Sequence, residues 1–187
     1  MKRNIYISYI HSDSMNFKFK IMDKFKGRKY KFSNEDTDNN SEALNTDEGL
    51  LKLEKKISHM DVTVVLITRN ITNSKQIPLE IKYSLDNTIS NSTKGVIGVV
   101  IPDKGNDYSY IMKKGPKSIW GVDKSKLPTI ISSNIHNEIV VQNKNNVNYD
   151  SFISIYRWED FIKDFDNCVN IAYDKANKYL NEYKLTK

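Results

Sequence analysis

The sequence lacks the features that mark several common classes of protein. It has a single cysteine, Cys168, so no internal disulfide can form, which fits a reducing cytosol. No apolar run approaches the roughly 20 residues that a membrane-spanning helix needs. The amino-terminal run MKRNIYISYI has no small-residue cleavage site, so we interpret it as a first strand and not as a signal peptide. We therefore expect a cytoplasmic protein.

The signature motifs of four enzyme classes are also missing. The sequence contains no GxGxxG, no GxxxxGK[ST] and no GxSxG. The three histidines, His11, His59 and His136, have no metal-ligand spacing with one another or with Cys168. The sequence therefore disfavours dinucleotide-dependent dehydrogenases, P-loop NTPases, α/β-hydrolases and zinc enzymes, and we expect no metal site.

The charge is distributed unevenly along the chain, which has a net charge of +6. Residues 1–32 hold nine Lys/Arg against two Asp, whereas residues 33–61 hold eight Asp/Glu against three Lys. A basic patch could attract nucleic acid, but the lysines are scattered, arginines are few and no nucleic-acid-binding motif is present. Nucleic acid is therefore not an expected partner, and the opposed patches favour head-to-tail self-association instead.

What the sequence does contain is an alternation of strand and helix patterns, which is typical of a parallel sheet covered by helices. The length of 187 residues suits one domain, residues 1–187. We predict strands at residues 4–10, 29–32, 62–68, 95–101 and 152–156. Between them, residues 33–47 form an acidic loop without periodicity, and residues 103–150 are irregular, with a short helix at 128–136 and an edge strand at 138–141.

The predicted helices have apolar residues at helical spacing. The first helix contains Phe17, Ile21, Met22 and Phe25 and ends before Gly27, and the second contains Leu50, Leu51, Leu53 and Ile57 and is capped by Asp47. The third helix covers residues 77–87. The fourth is a long helix that begins at Glu159 and has an apolar stripe of Phe161, Phe165, Cys168, Ala172, Ala176, Tyr179 and Tyr183. The position of Cys168 in this stripe predicts a buried core thiol and not a nucleophile.

Three polar segments follow the ends of predicted strands, where open parallel sheets bind their ligands. They are residues 8–13 (SYIHSD), residues 34–37 (NEDT), and Glu80 among apolar neighbours at the start of a helix. Each also has an ordinary interpretation. Ser12 or Asp13 could cap the first helix, the acidic loop could be simply solvated, and Glu80 could lie on a helix surface.

The order and the residues of these segments resemble those of Toll/interleukin-1 receptor (TIR) domains, and most closely the bacterial TIR-like branch that includes the Thoeris anti-phage proteins. The matching segments are DVTVVLIT (61–68), GVIGVVIPDKG (95–105), YRWEDFIKD (156–164) and SKQIPLEIKYSL (74–85). The last is similar to the branch pattern S-K-W-I-P-W-E-I-x-Y-S-L. Two positions depart from it, because Gln76 and Leu79 stand where many relatives have tryptophan.

The resemblance implies a flavodoxin-like, TIR-like doubly wound parallel sheet of about five strands with helices on both faces. It also implies cleavage of NAD between nicotinamide and ribose, with NAD as substrate and no further cofactor. By position, Glu80 matches the catalytic glutamate. The residues that match the nucleotide pocket and the flexible loop beside it are Ser8, Tyr9, His11 and Asp13, and residues 33–38, which include Asp36.

A single carboxylate could carry this chemistry. Nicotinamide leaves NAD as a neutral pyridine and needs no general acid, unlike the leaving group of most glycosidases. The carboxylate would bind ribose hydroxyls and stabilise an oxocarbenium-like centre. An aromatic ring such as Tyr9 or Tyr83 would stack on a substrate ring and exclude water. Whether the product is linear or cyclic depends on water access, which the sequence leaves open.

Three functional hypotheses follow. The first is an NAD-consuming enzyme that makes an ADP-ribose-type messenger in anti-phage defence, read by a downstream effector. The second is a non-catalytic TIR-like adaptor that acts through self-assembly or partner binding. The third is a nucleotide-sensing or transferase domain on the same scaffold, since a fold alone does not set function.

Overall fold

The computed structural model describes residues 2–27, 29–33, 46–90, 92–116, 119–136, 140–141 and 150–187. The strands are β1 Arg3–Ser8, β2 Tyr30–Phe32, β3 Val62–Ile67, β4 Gly95–Val100, β5 Met112–Lys114, β6 Trp120–Val122 and β7 Ser154–Arg157. The helices are α1 His11–Phe25, α2 Asp47–Ser58, α3 Gln76–Leu85, α4 Asn87–Ser90, α5 Thr129–Ser132, α6 Trp158–Lys163 and α7 Phe165–Asn177. Each predicted strand of the main sheet is present, with ends that differ from the predicted ones by up to two residues.

The main sheet has five strands in the order β2-β1-β3-β4-β7, and every neighbouring pair is parallel. Strands β5 and β6 form a separate antiparallel pair. Because β1 lies inside the sheet, the chain winds outward from it in both directions, which confirms the predicted doubly wound α/β fold.

Alternate residues of the strands build two cores, one on each face of the sheet. On the first face, Ile5 and Ile7 of β1 belong to a cluster with Ile21 and Phe25 of α1 and with residues of α6 and α7. The other residues of this cluster include Val62, Val64, Leu66, Ile97, Val99, Phe161, Phe165, Cys168, Val169 and Ala172. Cys168 is 2% exposed, and burial raises the pKa of its thiol to about 12, which confirms the predicted core thiol.

The second face is covered by α2, α3 and the segment around α5. Val65 and Ile67 of β3 pack with Ile77, Ile81 and Leu85 of α3. Beside this apolar cluster, Tyr6 of β1 packs with Leu53 and Ile57 of α2. Strand β1 therefore presents isoleucines to one face and Tyr6 and Ser8 to the other, and the candidate site lies on that second face.

The start of α2 differs from the sequence prediction. Its cap is Thr46, whose hydroxyl accepts a hydrogen bond from the Gly49 N–H, and Asp47 is the first helical residue. The Thr46 hydroxyl binds a backbone N–H group of the first helical turn, which is the role that was expected of the Asp47 carboxylate. Leu51 is 53% exposed, because Leu53 and Ile57 form the buried face of this helix.

The predicted long carboxy-terminal helix is instead two helices, α6 and α7. Asp164 between them leaves the helical conformation, with φ −124° and ψ 35°, and its carboxylate accepts a hydrogen bond from Asn167 Nδ2. Aspartate favours such positions because its side chain competes for local donors. The apolar stripe continues through the break, so periodicity alone could not detect it. Helix α7 also ends at Asn177, so Tyr179 is 40% exposed, while Tyr183 beyond the helix packs against Phe152.

Helices and strands elsewhere are shorter than predicted. The helix predicted at 128–136 covers only Thr129–Ser132, and the helix predicted at 77–87 ends at Leu85. Of the edge strand predicted at 138–141, residues 138 and 139 lie outside the described residues, and Val141 forms an isolated parallel bridge with Tyr156. Most of the acidic loop at 33–47 also lies outside them. In the described part of the chain, none of the helices has the length and apolar character needed to span a membrane.

Candidate active site

Glu80 lies in the first half of α3, facing the sheet, where its side chain is 1% exposed. The surrounding pattern explains this position. Ile77, Ile81 and Leu85 place one face of α3 against the sheet, and Glu80 joins that face through its spacing of three residues from Ile77. The interpretation of Glu80 as a solvated surface residue is therefore wrong.

Three side chains donate hydrogen bonds to the Glu80 carboxylate. Tyr6 Oη and Gln76 Nε2 donate to Oε1, with Gln76 at 2.6 Å, and Ser8 Oγ donates to Oε2. Tyr6 and Ser8 are neighbours on one face of β1, and Ser8 is the last residue of that strand. The carboxylate thus lies beside the carboxyl end of the first strand.

Burial and hydrogen bonding act against each other on this carboxylate. Loss of solvent raises the pKa of Glu80, while hydrogen bonds from Ser8, Tyr6 and Gln76 and the charge of Lys56 oppose that rise without cancelling it. The pKa of Tyr6 is raised well above its usual range, first by burial and then by the Glu80 charge. Burial therefore keeps the pKa of Glu80 above its ordinary value despite the three donors.

A second set of hydroxyls fixes α3 on the sheet. Ser84 Oγ donates to the Glu80 backbone carbonyl at 2.8 Å and lies 2.8 Å from Thr63 Oγ1 on β3. Thr63 is paired with Tyr6 in the sheet register. The helix that carries Glu80 is therefore bonded to the central strand next to β1, which limits its movement relative to Tyr6.

The segment after β1 places Tyr9 and His11 together at the carboxyl edge of the sheet. Their ring centroids are 6.2 Å apart, with Tyr9 half-buried and His11 exposed. Lys18 of α1 is almost fully buried, and its Nζ lies 3.3 Å from Tyr9 Oη and 4.7 Å from the ring centroid. A cation thus fixes the Tyr9 ring beside the end of the first strand.

Asp13 lies in the first turn of α1 and binds the segment after β3, but it does not cap the helix. The helix begins at His11 with Ile10 before it, and no side-chain hydrogen bond caps it, so the prediction of Ser12 or Asp13 as a cap is wrong. Asp13 Oδ2 accepts hydrogen bonds from Thr68 Oγ1 and Asn70 Nδ2, both at 3.0 Å. Burial alone would raise the pKa of Asp13, but hydrogen bonds from Ser12, Asn70 and Thr68 outweigh it and lower that pKa.

Of the two remaining predicted residues, Tyr83 is described by the structure and does not contact the carboxylate. Tyr83 is half-buried and packs with the cluster of Tyr6, Leu53 and Ile57, on the α2 side of α3. Burial raises the pKa of its hydroxyl. Asp36 lies outside the described residues. The structure therefore brings Ser8 and Glu80 into direct contact and places Tyr9, His11 and Asp13 along the same edge of the sheet.

A family model described as Thoeris protein ThsB, TIR-like domain, matches residues 6–106, which is more than half of the chain. The chain belongs to this family. It is a TIR-like domain of the Thoeris anti-phage defence proteins.

The matched part of this TIR-like domain begins at Tyr6 and includes the whole Glu80 arrangement, from β1 through α3 to β4. Strand β7 and helices α6 and α7, which complete the sheet and cover its first face, follow the matched part. Among the described residues of the TIR-like domain, no group of three or more His, Cys, Asp or Glu side chains is arranged to hold a metal ion.

Sequence reasoning missed two partners of Glu80 in this TIR-like domain, Tyr6 and Gln76. The signal for Tyr6 was the alternation in β1, where polar Tyr6 and Ser8 alternate with Ile5 and Ile7. Gln76 was noted only as a departure from tryptophan. Its spacing of four residues from Glu80 is that of side-chain neighbours on one helix face, which could have revealed the contact.

Proposed function

We propose that this TIR-like domain cleaves the bond between nicotinamide and ribose in NAD, and that Glu80 carries the reaction. The observation that supports this proposal is the Glu80 carboxylate held beside the end of β1 by Ser8, Tyr6 and Gln76. A fixed negative charge that is shielded from solvent stabilises a developing positive charge more strongly than it would in water.

In the proposed reaction the bond from ribose C1′ to the nicotinamide nitrogen breaks, and its electron pair stays on nicotinamide, which leaves neutral. The positive charge that develops on the ribose is stabilised by the Glu80 carboxylate. Addition of water at C1′, with loss of a proton, gives ADP-ribose. Attack by a nucleophilic nitrogen of the adenine, again with loss of a proton, gives a cyclic product. Either product would serve as a messenger for a downstream effector.

Substitution of the carboxylate tests the proposal. Glu80→Gln keeps the shape and an acceptor oxygen for Tyr6 but removes the charge, so we expect nicotinamide release to fall by about 100-fold or more. Glu182→Gln, which changes an exposed glutamate near the carboxy terminus, is the matched control and should release nicotinamide like the unmodified chain. Assays should include high protein concentration and phage-infected lysate. Undiminished release by folded Glu80→Gln would refute the role of Glu80.

The enclosure of Glu80 by three donors also favours a second candidate function. A carboxylate 1% exposed could be a structural group, and the protein would then be a non-catalytic adaptor that acts through self-assembly or partner binding. Large apolar side chains remain exposed for such contacts: Phe19, Leu51, Ile119 and Tyr179. Self-association without any nicotinamide release, under all the conditions above, would favour the adaptor over the enzyme.

A further inference from the structure

The hydrogen bonds on Glu80 are unevenly shared between its two oxygens. Oε1 accepts from both Tyr6 and Gln76, whereas Oε2 accepts from Ser8. A carboxylate offers about four acceptor positions, two on each oxygen. Oε1 is therefore fully used, and a ligand with two adjacent hydroxyl groups can reach both oxygens only if one of the Oε1 donors is released.

The two Oε1 donors differ in how easily they can be released. Tyr6 is 4% exposed in the middle of β1, packed against α2. Gln76 is half-buried, is the first residue of α3 and has a flexible side chain. Tyr6 and Ser8 are both buried, so Gln76 is the donor of the three whose side chain retains contact with solvent. An amide that reaches water can exchange its partner without leaving a buried polar group unpaired.

We propose that Gln76 is a latch on Glu80: its side-chain amide occupies the Oε1 position that a ribose hydroxyl needs, and substrate binding exchanges this amide for the hydroxyl. The inference rests on the proposed function. Gln76 acts through Glu80 and is a positioning residue. Its presence makes substrate binding weaker, because the Gln76–Glu80 bond must break first, and it lowers the pKa of Glu80.

The latch predicts that only one of the two Oε1 donors, Gln76, raises KM for NAD. Gln76→Ala removes the exchangeable donor, so KM for NAD should fall about threefold to tenfold, with a smaller change in kcat, as expected for loss of one competing hydrogen bond. Because the amide lowers the pKa of Glu80, its removal should also move the acid limb of kcat/KM to higher pH. Tyr6→Phe should shift that limb in the same direction but should not lower KM, because Gln76 stays in place.

Lys82→Ala, on the exposed side of α3, is the control for helix stability and should leave KM and the pH profile unchanged. A second readout is independent of turnover. The carboxyl ¹³C shift of Glu80, followed against pH, should report a higher pKa in Gln76→Ala than in the unmodified chain.

The outcomes separate the latch from the proposed function. If the unmodified chain cleaves NAD and Gln76→Ala has an equal or higher KM, the latch is wrong. If no variant releases nicotinamide, the proposed function fails, and with it the substrate-exchange step of the latch. An unchanged Glu80 pKa in Gln76→Ala overturns the latch, because the amide would not be bonded to the carboxylate in solution.

Discussion

Of the charged side chains that the structure describes, Glu80 beside the end of β1 and Lys175 beside the start of β7 are the most deeply buried, each with 1% exposed. Burial of a charge is costly unless hydrogen bonds replace its water. Glu80 has three side-chain donors, and Lys175 Nζ donates to the Ser151 carbonyl at 2.6 Å and to Ser154 Oγ at 2.7 Å. Burial nevertheless raises the pKa of Glu80 and lowers the pKa of Lys175. The stability of the protein therefore depends on pH through both groups.

Lys175 provides a prediction at the scale of a single residue. Burial lowers the pKa of Lys175 to about 7, a shift that the charge of Asp150 opposes. In the unfolded chain a lysine has a pKa of about 10.4. Between these values the unfolded state binds more protons than the folded state, so stability should rise with pH, by at most about 1.4 kcal/mol per pH unit. Below pH 7 both states are protonated, and the cost of burial is fully present.

Lys175→Met removes this titration, so the rise in unfolding free energy between pH 7 and pH 10 should become flatter. The measurement is urea denaturation at several pH values across this window. Lys178→Met, at an exposed lysine three residues later, should keep the original slope. An equal rise with pH in Lys175→Met would show that another group is responsible.

At the scale of secondary-structure elements, two glycines of β4 allow close packing of different kinds, one against the backbone of α7 and the other against side chains of the neighbouring strands. A Cβ on Gly95 would lie 2.5 Å from the backbone carbonyl carbon of Ala172 in α7. A Cβ on Gly98 would instead meet the terminal methyl groups of Ile155 and Ile67. Gly95 therefore sets the approach of α7 to β4, whereas Gly98 leaves room for two side chains that can rotate.

These glycines give a matched pair of substitutions on one strand. Gly95→Ala should destabilise the protein by about 1–3 kcal/mol or more, because a helix backbone must move. Gly98→Ala should cost less, because only side-chain tips must move. The midpoints of urea unfolding compare the two variants directly. If Gly98→Ala is equally or more destabilising, the contact of α7 with β4 is not the tighter constraint.

At the scale of the whole molecule, charge separates along the chain into the basic residues 1–32 and the acidic residues 33–61. Helix α1 presents exposed Lys20 and Lys24, and the start of α2 presents Glu48, whose side chain is 78% exposed. Opposite charges on two surfaces of one molecule attract successive copies head to tail. Self-association of this kind is a proposal shared by the enzyme and adaptor hypotheses.

We expect self-association to weaken as salt increases, because the screening length falls from about 10 Å at 0.1 M to about 3 Å at 1 M. Sedimentation velocity across this range measures it. Replacing both Lys20 and Lys24 by Glu should weaken association, and mixing this variant with Glu48→Lys should restore it. Lys178→Glu is the control. A protein that stays monomeric at every salt concentration would contradict the prediction.

The sequence by itself determined the α/β class, the strands of the main sheet, the buried Cys168 and the place of Glu80 after the third strand. These are local properties, because the period of apolar residues reports which face of a helix or strand is buried. The family segments added the pattern around Glu80, and the family match covers that region.

Only the tertiary structure decided which groups surround Glu80. Tyr6 lies 74 positions away in the chain, and its contact with Glu80 depends on how α3 packs on β1, which no local period reports. The local sequence pattern also could not predict the helix break at Asp164 or the exposure of Leu51. An apolar stripe continues through a change of backbone direction, and a leucine is buried only where another element covers it.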